Sequence, residues 1–107
     1  MGLSAAAFYV LVALAQGERH GYAIIKEIET ITDGGVVLLP GTLYRLIAQL
    51  CRDRWITEVR ASGANGDPRR RYYRLTPSGR KALANEVARL EAMVKLGRRV
   101  RLLASDA

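Results

Sequence analysis

The chain of 107 residues has almost no cysteine or histidine, since it contains one of each, Cys51 and His20. A single cysteine excludes an internal disulfide, and the two residues together supply too few ligands for a tetrahedral zinc site. Acidic residues are also scarce: 10 Asp and Glu accompany 17 Lys and Arg, which gives a formal net charge of +7. A small domain with this excess of positive charge is a candidate for binding a polyanion, either nucleic acid or an acidic membrane surface.

The sequence also lacks the run of roughly 20 apolar residues that a membrane-spanning helix requires. The longest largely apolar stretch, residues 3–15, is shorter, and no Lys or Arg precedes it as in a secretory signal. We therefore expect a buried first helix and a cytoplasmic location, which suits a free thiol. Nucleophile elbows, glycine-rich phosphate loops and paired catalytic carboxylates are missing as well. We expect neither an enzyme nor a bound metal or cofactor.

Hydrophobic spacing and capping residues predict a mainly α (α+β) domain. The predicted order is a helix from Ser4 to Gly17, a helix over 21–32, a short strand over 36–39, a helix over 40–54, a hairpin of strands 55–60 and 70–75, and a long helix over 77–103. In the second helix, Ile24, Ile28 and Ile31 form the predicted inner row. Pro40 and Pro77 stand where a first helical turn accepts proline.

The positive charge is concentrated in the middle of the chain. Residues 36–80 carry nine basic and three acidic groups, whereas residues 1–35 carry two basic and four acidic groups. A polyanion is therefore expected to bind first to the middle third.

The helix over 40–54 separates into two faces at 100° per residue. The apolar face consists of Leu43, Leu46, Ile47 and Leu50, and the polar edge consists of Thr42, Arg45, Gln49 and Arg52. The polar edge holds no acid, and its residue types suit DNA: arginine reads guanine, glutamine reads adenine, and threonine meets a phosphate or a thymine methyl. This edge predicts a helix that lies in a major groove, and the alternative is an ordinary solvated face. Tyr44, on the flank, either bonds a phosphate or covers the edge of the core.

The predicted hairpin adds a second basic element. Arg69, Arg70 and Arg71 precede its returning strand, and Asn65-Gly66 marks its tip. A basic hairpin can contact a phosphate backbone or enter a minor groove, although charge on an edge strand also serves to block pairing. Three helices followed by such a hairpin form a winged helix-turn-helix, in which the hairpin is the wing.

The last helix predicts an interface between two copies of the chain. Its apolar positions repeat at spacings of four and three, as in a coiled-coil seam, and a small core cannot bury them all. The expected interface residues are Phe8, Val12, Leu83, Val87, Leu90, Met93, Val94 and Leu96. A two-fold dimer would place two reading helices at half-sites about 34 Å apart. The alternative is packing against the first helix of the same chain. This division gives a DNA-binding domain over 1–76 and a dimerisation helix over 77–107.

Three stretches together resemble the PadR family of bacterial transcriptional regulators. They are His20-Gly21-Tyr22-Ala23-Ile24, then Leu39-Pro40-Gly41-Thr42-Leu43-Tyr44-Arg45 running on to Trp55-Ile56, and Arg71-Tyr72-Tyr73-Arg74-Leu75-Thr76-Pro77-Ser78-Gly79. The resemblance covers roughly residues 3–80, and the single last helix is similar to that of the family's short subgroup.

The resemblance implies a homodimeric winged-helix repressor that binds double-stranded DNA. The contacts that it implies come from Tyr22, Pro40, Gly41, Thr42, Tyr44, Arg45 and wing residues such as Arg70. Some family members bind flat drugs between their subunits through a tryptophan of the last helix. This chain has its single tryptophan at position 55, at the start of the wing, so we do not expect that site. A small-molecule effector would lie among Met93, Leu96, Val12 and Phe8, but the sequence gives no support for one.

Two residues with reactive side chains have ordinary interpretations. The ring of His20, at a helix start, is expected to bond a local backbone carbonyl, and Cys51 beside the apolar face is expected to be an inert thiol. The leading functional hypothesis is a sequence-specific DNA-binding regulator. The alternative is a winged-helix module that binds an acidic protein, and a third hypothesis places the last helix on a membrane surface.

Overall fold

The computed structural model describes residues 3–60, 67 and 69–100. The elements are α1 (Ala5–Ala15), β1 (Arg19–His20), α2 (Gly21–Ile31), α3 (Pro40–Arg52), β2 (Ile56–Val59), β3 (Tyr72–Leu75) and α4 (Pro77–Arg99). All four predicted helices and both strands of the predicted hairpin are confirmed, with ends that shift by a few residues. The hairpin tip at 65–66 and the last-helix residue Leu103 lie outside the described residues.

The central helix is α1, which packs against α2, α3, β3 and α4. Ser4 caps it by accepting a hydrogen bond from the amide of Ala7 at 3.1 Å. Val10 and Leu11 are fully buried, and Phe8 and Val12 are partly buried on other sides of the helix. Because α1 is apolar on several sides, it can contact several elements at once.

The prediction for α2 needs one correction. Ile24 and Ile28 are fully buried as expected, but Ile31 is 39% exposed, and Ile25 is buried in its place. The helix ends at Ile31, where Thr32 and the following turn carry the chain away from the core. The buried row of α2 therefore ends one turn earlier than predicted, at Ile28, and it includes Ile25 beside Ile24.

The predicted strand over 36–39 is wrong. This segment pairs with no strand among the described residues. Leu38 is buried in the core, and Val36 packs against it partly buried. The third strand of the sheet is instead β1, which the sequence analysis missed. It pairs antiparallel with β3 through Arg19 opposite Tyr73 and His20 opposite Tyr72.

The sheet order β1-β3-β2 places the wing beside the start of α2. In the hairpin, Ile56 lies opposite Leu75 and Val59 lies opposite Tyr72. Tyr73 and Leu75 are buried, as the alternation along β3 predicts, whereas Arg74 faces outward. The helices α2 and α3 with this hairpin form a winged helix-turn-helix.

The first turns of α4 belong to the same core. Thr76 caps the helix by accepting a hydrogen bond from the amide of Gly79 at 2.9 Å, and Pro77 occupies its first turn. Leu83 packs into the core, and the carboxylate of Glu86 is buried beside the guanidinium of Arg89, with 3.0 Å between Oε1 and Nε. Beyond Glu86 the helix runs on with mostly exposed side chains.

Candidate nucleic-acid interface

The polar edge of α3 faces away from the protein. Arg45, Gln49 and Arg52 are exposed, and Thr42 is partly so, while Leu43, Ile47 and Leu50 on the opposite face are buried. Within the described residues no hydrogen bond or ion pair holds the three long side chains of this edge. The two faces predicted from the sequence are confirmed, and the edge is free to meet a ligand.

The first turn of α3 is exposed as well. Pro40 and Gly41 lie at the surface, and Leu39 before them offers no side-chain cap to the free amides. A Cβ atom added at Gly41 would meet nothing within 4 Å, so the described fold places no steric demand for glycine there. The positive end of the helix dipole therefore points into solvent, with no acidic residue in the turn.

Two tyrosines flank this edge where α2 approaches α3. The ring of Tyr44 lies over the start of α2, so close that a Cβ atom on Gly21 would be 2.6 Å from the Tyr44 hydroxyl. Glycine at position 21 thus permits the approach. Tyr44 and Tyr22 are 53% and 59% exposed, and Nζ of Lys26 lies 5.7 Å from the centroid of the Tyr22 ring. Of the two roles predicted for Tyr44, the ring fills the packing role by lying against the start of α2, and the phosphate contact stays a prediction.

The wing arginines have a partner that the sequence analysis missed. Nε of Arg69 lies 3.2 Å from Oδ1 of Asp67, and Nε of Arg70 lies 3.7 Å from Oδ2. The hydrogen bonds from Arg69 lower the pKa of the Asp67 carboxyl. These ion pairs are exposed to solvent and therefore weak. An anion that binds arginine more tightly can replace the carboxylate of Asp67 as the partner. Arg71 is exposed beside them.

His20 joins the wing to α2, and its predicted hydrogen bond is wrong in direction. Its Nδ1 accepts a hydrogen bond from the amide of Ala23 at 3.2 Å, so the ring caps α2 instead of donating to a carbonyl. Nη1 of Arg70 lies 2.9 Å from Nε2, and the ring stands edge-on to Tyr72. Burial, and after it the charge of Arg70, lowers the pKa of His20. Sequence spacing gives no signal for a contact across 50 positions.

A basic cleft forms where these elements meet. Its volume is about 490 Å³, and its lining residues are His20, Gly21, Tyr22, Tyr44, Arg69, Arg70 and Arg71. The structure thus brings Tyr22, Tyr44 and the three wing arginines of the sequence prediction to one surface, next to the polar edge of α3.

A second, apolar groove lies between α1 and the outer part of α4. Phe8, Val87, Leu90 and Val94 supply its apolar wall, and Glu91, Lys95 and Arg98 border it. Val94, Met93 and Leu96 are each more than half exposed. Of the other predicted interface residues, Val12 is partly buried against the core, and Leu83 is buried within its own chain, because the first turns of α4 pack on α1.

Metal binding, thiol chemistry and membrane crossing each place their own requirements on the described residues. Among residues 3–60, 67 and 69–100, no three His, Cys, Asp or Glu side chains cluster as metal ligands would. The thiol of Cys51 is partly buried, and this burial raises its pKa, which disfavours the reactive thiolate. No helix in the same ranges combines the length and apolar character needed to cross a bilayer.

Solved structures of transcriptional regulators share this fold. A transcriptional regulator from Clostridium thermocellum is 29% identical and superposes with a TM-score of 0.73, over 87% of this chain and 89% of that one. A PadR-like transcriptional regulator from Bacillus cereus is 17% identical with a TM-score of 0.76, over 92% of each chain. At that identity the likeness to the B. cereus protein shows the fold alone.

Sequence comparison points the same way. An uncharacterised 37.1 kDa protein in transposon TN4556 of Streptomyces fradiae is 38% identical over 91 residues, which are 85% of this chain. The matched region is 24% of that relative, so the chain spans about a quarter of its length. The model of the transcriptional regulator PadR-like family matches residues 10–85, which include α2, α3, the wing and the start of α4. The chain therefore belongs to the PadR-like family of transcriptional regulators.

Proposed function

We propose that this protein is a homodimeric repressor that binds specific DNA sequences through α3 and the wing. The observation that carries the proposal is the unpaired, acid-free edge of α3, with Arg45, Gln49 and Arg52 pointing into solvent. Arginine and glutamine are the side chains that bond guanine and adenine in the major groove. In this assignment Arg45 and Gln49 read bases, and Thr42 and the backbone amide of Gly41, which lies at the surface, approach the DNA backbone.

The basic cleft supplies contacts that do not depend on sequence. Arg69, Arg70 and Arg71 line the cleft together with Tyr44 of α3 and Tyr22 of α2, and both tyrosine side chains are more than half exposed. In the proposal these groups contact phosphates on either side of the groove that α3 enters, and phosphate contacts of this kind make binding salt-dependent. The two weak ion pairs with Asp67 exchange for pairs with phosphate.

The apolar groove supports the dimer. Phe8 and Val94 line the groove, and Leu96 on the outer part of α4 is 59% exposed. A second copy of α4 would cover these side chains in the manner of a coiled coil. Sedimentation equilibrium at micromolar concentration tests this, and a species of monomer mass would contradict it.

Two substitutions separate base reading from phosphate binding. Arg45→Ala is expected to cost about 1–3 kcal/mol of binding on the preferred sequence and to relax the choice at one base pair. Arg70→Ala is expected to weaken all duplexes alike and to reduce the salt slope by about one unit per site.

The measurement is fluorescence anisotropy with a duplex from upstream of the protein's own gene and a shuffled duplex, each titrated with salt. Arg74→Ala, on the outward face of β3, is the control for loss of one exposed positive charge outside the cleft. If Arg45→Ala and Arg70→Ala both bind as the wild type does, the assignment of α3 and the wing is wrong. Binding to an acidic protein but to no duplex would favour the protein-interaction module instead.

A further inference from the structure

Two neighbours of His20 disfavour the protonated form of its ring. The amide of Ala23 donates to Nδ1 at 3.2 Å, which requires a free lone pair on that nitrogen. Nη1 of Arg70 lies 3.1 Å from Nδ1 and 2.9 Å from Nε2, so a positively charged guanidinium stands against the ring. A protonated imidazole has no lone pair for the amide of Ala23, and it would place a second positive charge beside Arg70. The neutral ring is therefore part of the geometry that caps α2 and positions the wing.

The charges that face this ring are mostly positive. Arg69 and Arg71 line the same cleft as Arg70, and the ring also lies at the positive end of the α2 dipole. The negative charge of Asp67 partly opposes them. Tyr22, Tyr44 and Tyr72, from α2, α3 and β3, complete the surroundings of the ring. Burial, and after it the charge of Arg70, lowers the pKa of His20.

We propose that His20 takes up a proton when the backbone of a DNA duplex enters the cleft, so that binding becomes tighter as the pH falls. The phosphates reverse the sign of the field at the ring, and they offer acceptors for both imidazole N–H groups and for the amide of Ala23. The guanidinium of Arg70 then turns from the ring and donates hydrogen bonds to a phosphate. This inference rests on the proposed function, because it needs the cleft to be part of the DNA-binding surface.

The linkage between DNA binding and protonation of His20 sets the direction and the upper limit of the change in affinity with pH. DNA raises the pKa of His20 above its value in the free protein, so complex formation binds protons and affinity rises as pH falls between the two values. Each His20 can change the affinity by at most about tenfold per pH unit. The chain has a single histidine, and no other side chain with an unperturbed pKa titrates near pH 6–7. The pH profile therefore reports on this residue.

The test compares the wild type with His20→Asn on a fluorescein-labelled mixed-sequence duplex of about 30 base pairs, at constant ionic strength. Asparagine keeps a side-chain oxygen that caps a helix but does not titrate. Between pH 7.5 and pH 6.0 the wild-type affinity is expected to rise about threefold or more, as two linked rings allow. The affinity of His20→Asn is expected to stay level over the same interval.

A second measurement needs no substitution at His20. The single imidazole gives one Hε1 proton signal in NMR, and its titration midpoint is expected to move up when the same duplex is added. Arg70→Gln is expected to raise the midpoint of the free protein, because it removes a positive charge beside the ring.

The outcomes separate the two proposals. Equal pH slopes for the wild type and His20→Asn, or a midpoint that stays or falls while the duplex is bound, overturn the proton uptake and leave DNA binding intact. If neither protein binds any duplex at either pH, both proposals fall.

Discussion

Gly79 and Gly97 lie in the same helix, and replacing each by alanine is expected to change stability in opposite directions. Intrinsic helix propensity favours alanine over glycine by about 1 kcal/mol in either place. The structure distinguishes them. A Cβ atom at Gly79 would lie 1.9 Å from the carbonyl oxygen of Trp55 and 2.9 Å from Cδ1 of Leu75, whereas one at Gly97 would meet nothing within 4 Å.

The clash at Gly79 falls on backbone that cannot easily move. The same Trp55 carbonyl accepts a hydrogen bond from the amide of Thr76 at 3.0 Å, and the hydroxyls of Thr76 and Ser78 both donate to the carbonyl of Arg54. Relief of the contact requires α4 to move by about 1 Å away from the end of α3, which weakens these bonds and the Thr76 cap. Overpacking costs about 1–3 kcal/mol and loss of a cap about 1 kcal/mol.

After the gain in helix propensity, Gly79→Ala is expected to destabilise the fold by about 1–3 kcal/mol. Gly97→Ala is expected to stabilise it by about 0.5–1 kcal/mol. Urea unfolding followed by circular dichroism, at one fixed protein concentration, measures both values. A stable Gly79→Ala variant would refute the close packing of α4 on the Trp55 carbonyl.

Two further predictions concern the carboxyl of Glu86 and the thiol of Cys51. The hydrogen bond from Arg89 lowers the pKa of the Glu86 carboxyl, so Glu86 contributes stability above its ordinary pKa of about 4.3, which is lost as the pH falls through the lower folded-state value. Glu86→Gln is therefore expected to cost more stability at pH 7 than at the lowest pH where unfolding stays cooperative, and an equal cost at both would contradict this. Burial raises the pKa of the Cys51 thiol, so iodoacetamide is expected to alkylate the folded protein more slowly than the same chain in urea. An equal rate would show that the thiol is accessible.

The local signals in the sequence predicted most of the helices and their orientation. The separation of Leu43, Ile47 and Leu50 from Arg45 and Gln49 follows from the helical repeat, which does not depend on the rest of the fold. The caps at Ser4 and Thr76 likewise need only neighbouring amides. These local features include the polar edge of α3, which belongs to the proposed site.

Contacts between distant residues were not predictable in this way. β1 is two residues long and carries no strand pattern, and it exists because β3 offers it a free edge. The segment over 36–39 has a strand-like composition but finds no partner among the described residues. Nothing in the sequence distinguishes Glu86 from the other charged residues of the last helix. It is buried because α4 packs on α1.

By itself, the sequence determined where α3 begins, which of its sides is polar, and that the chain carries excess positive charge beside it, because these properties depend on residues within a few positions of one another. Only the tertiary structure decided that His20 meets Arg70 and that Asp67 pairs with the wing arginines. Those contacts arise from how the elements pack together, and no periodicity along the chain encodes them.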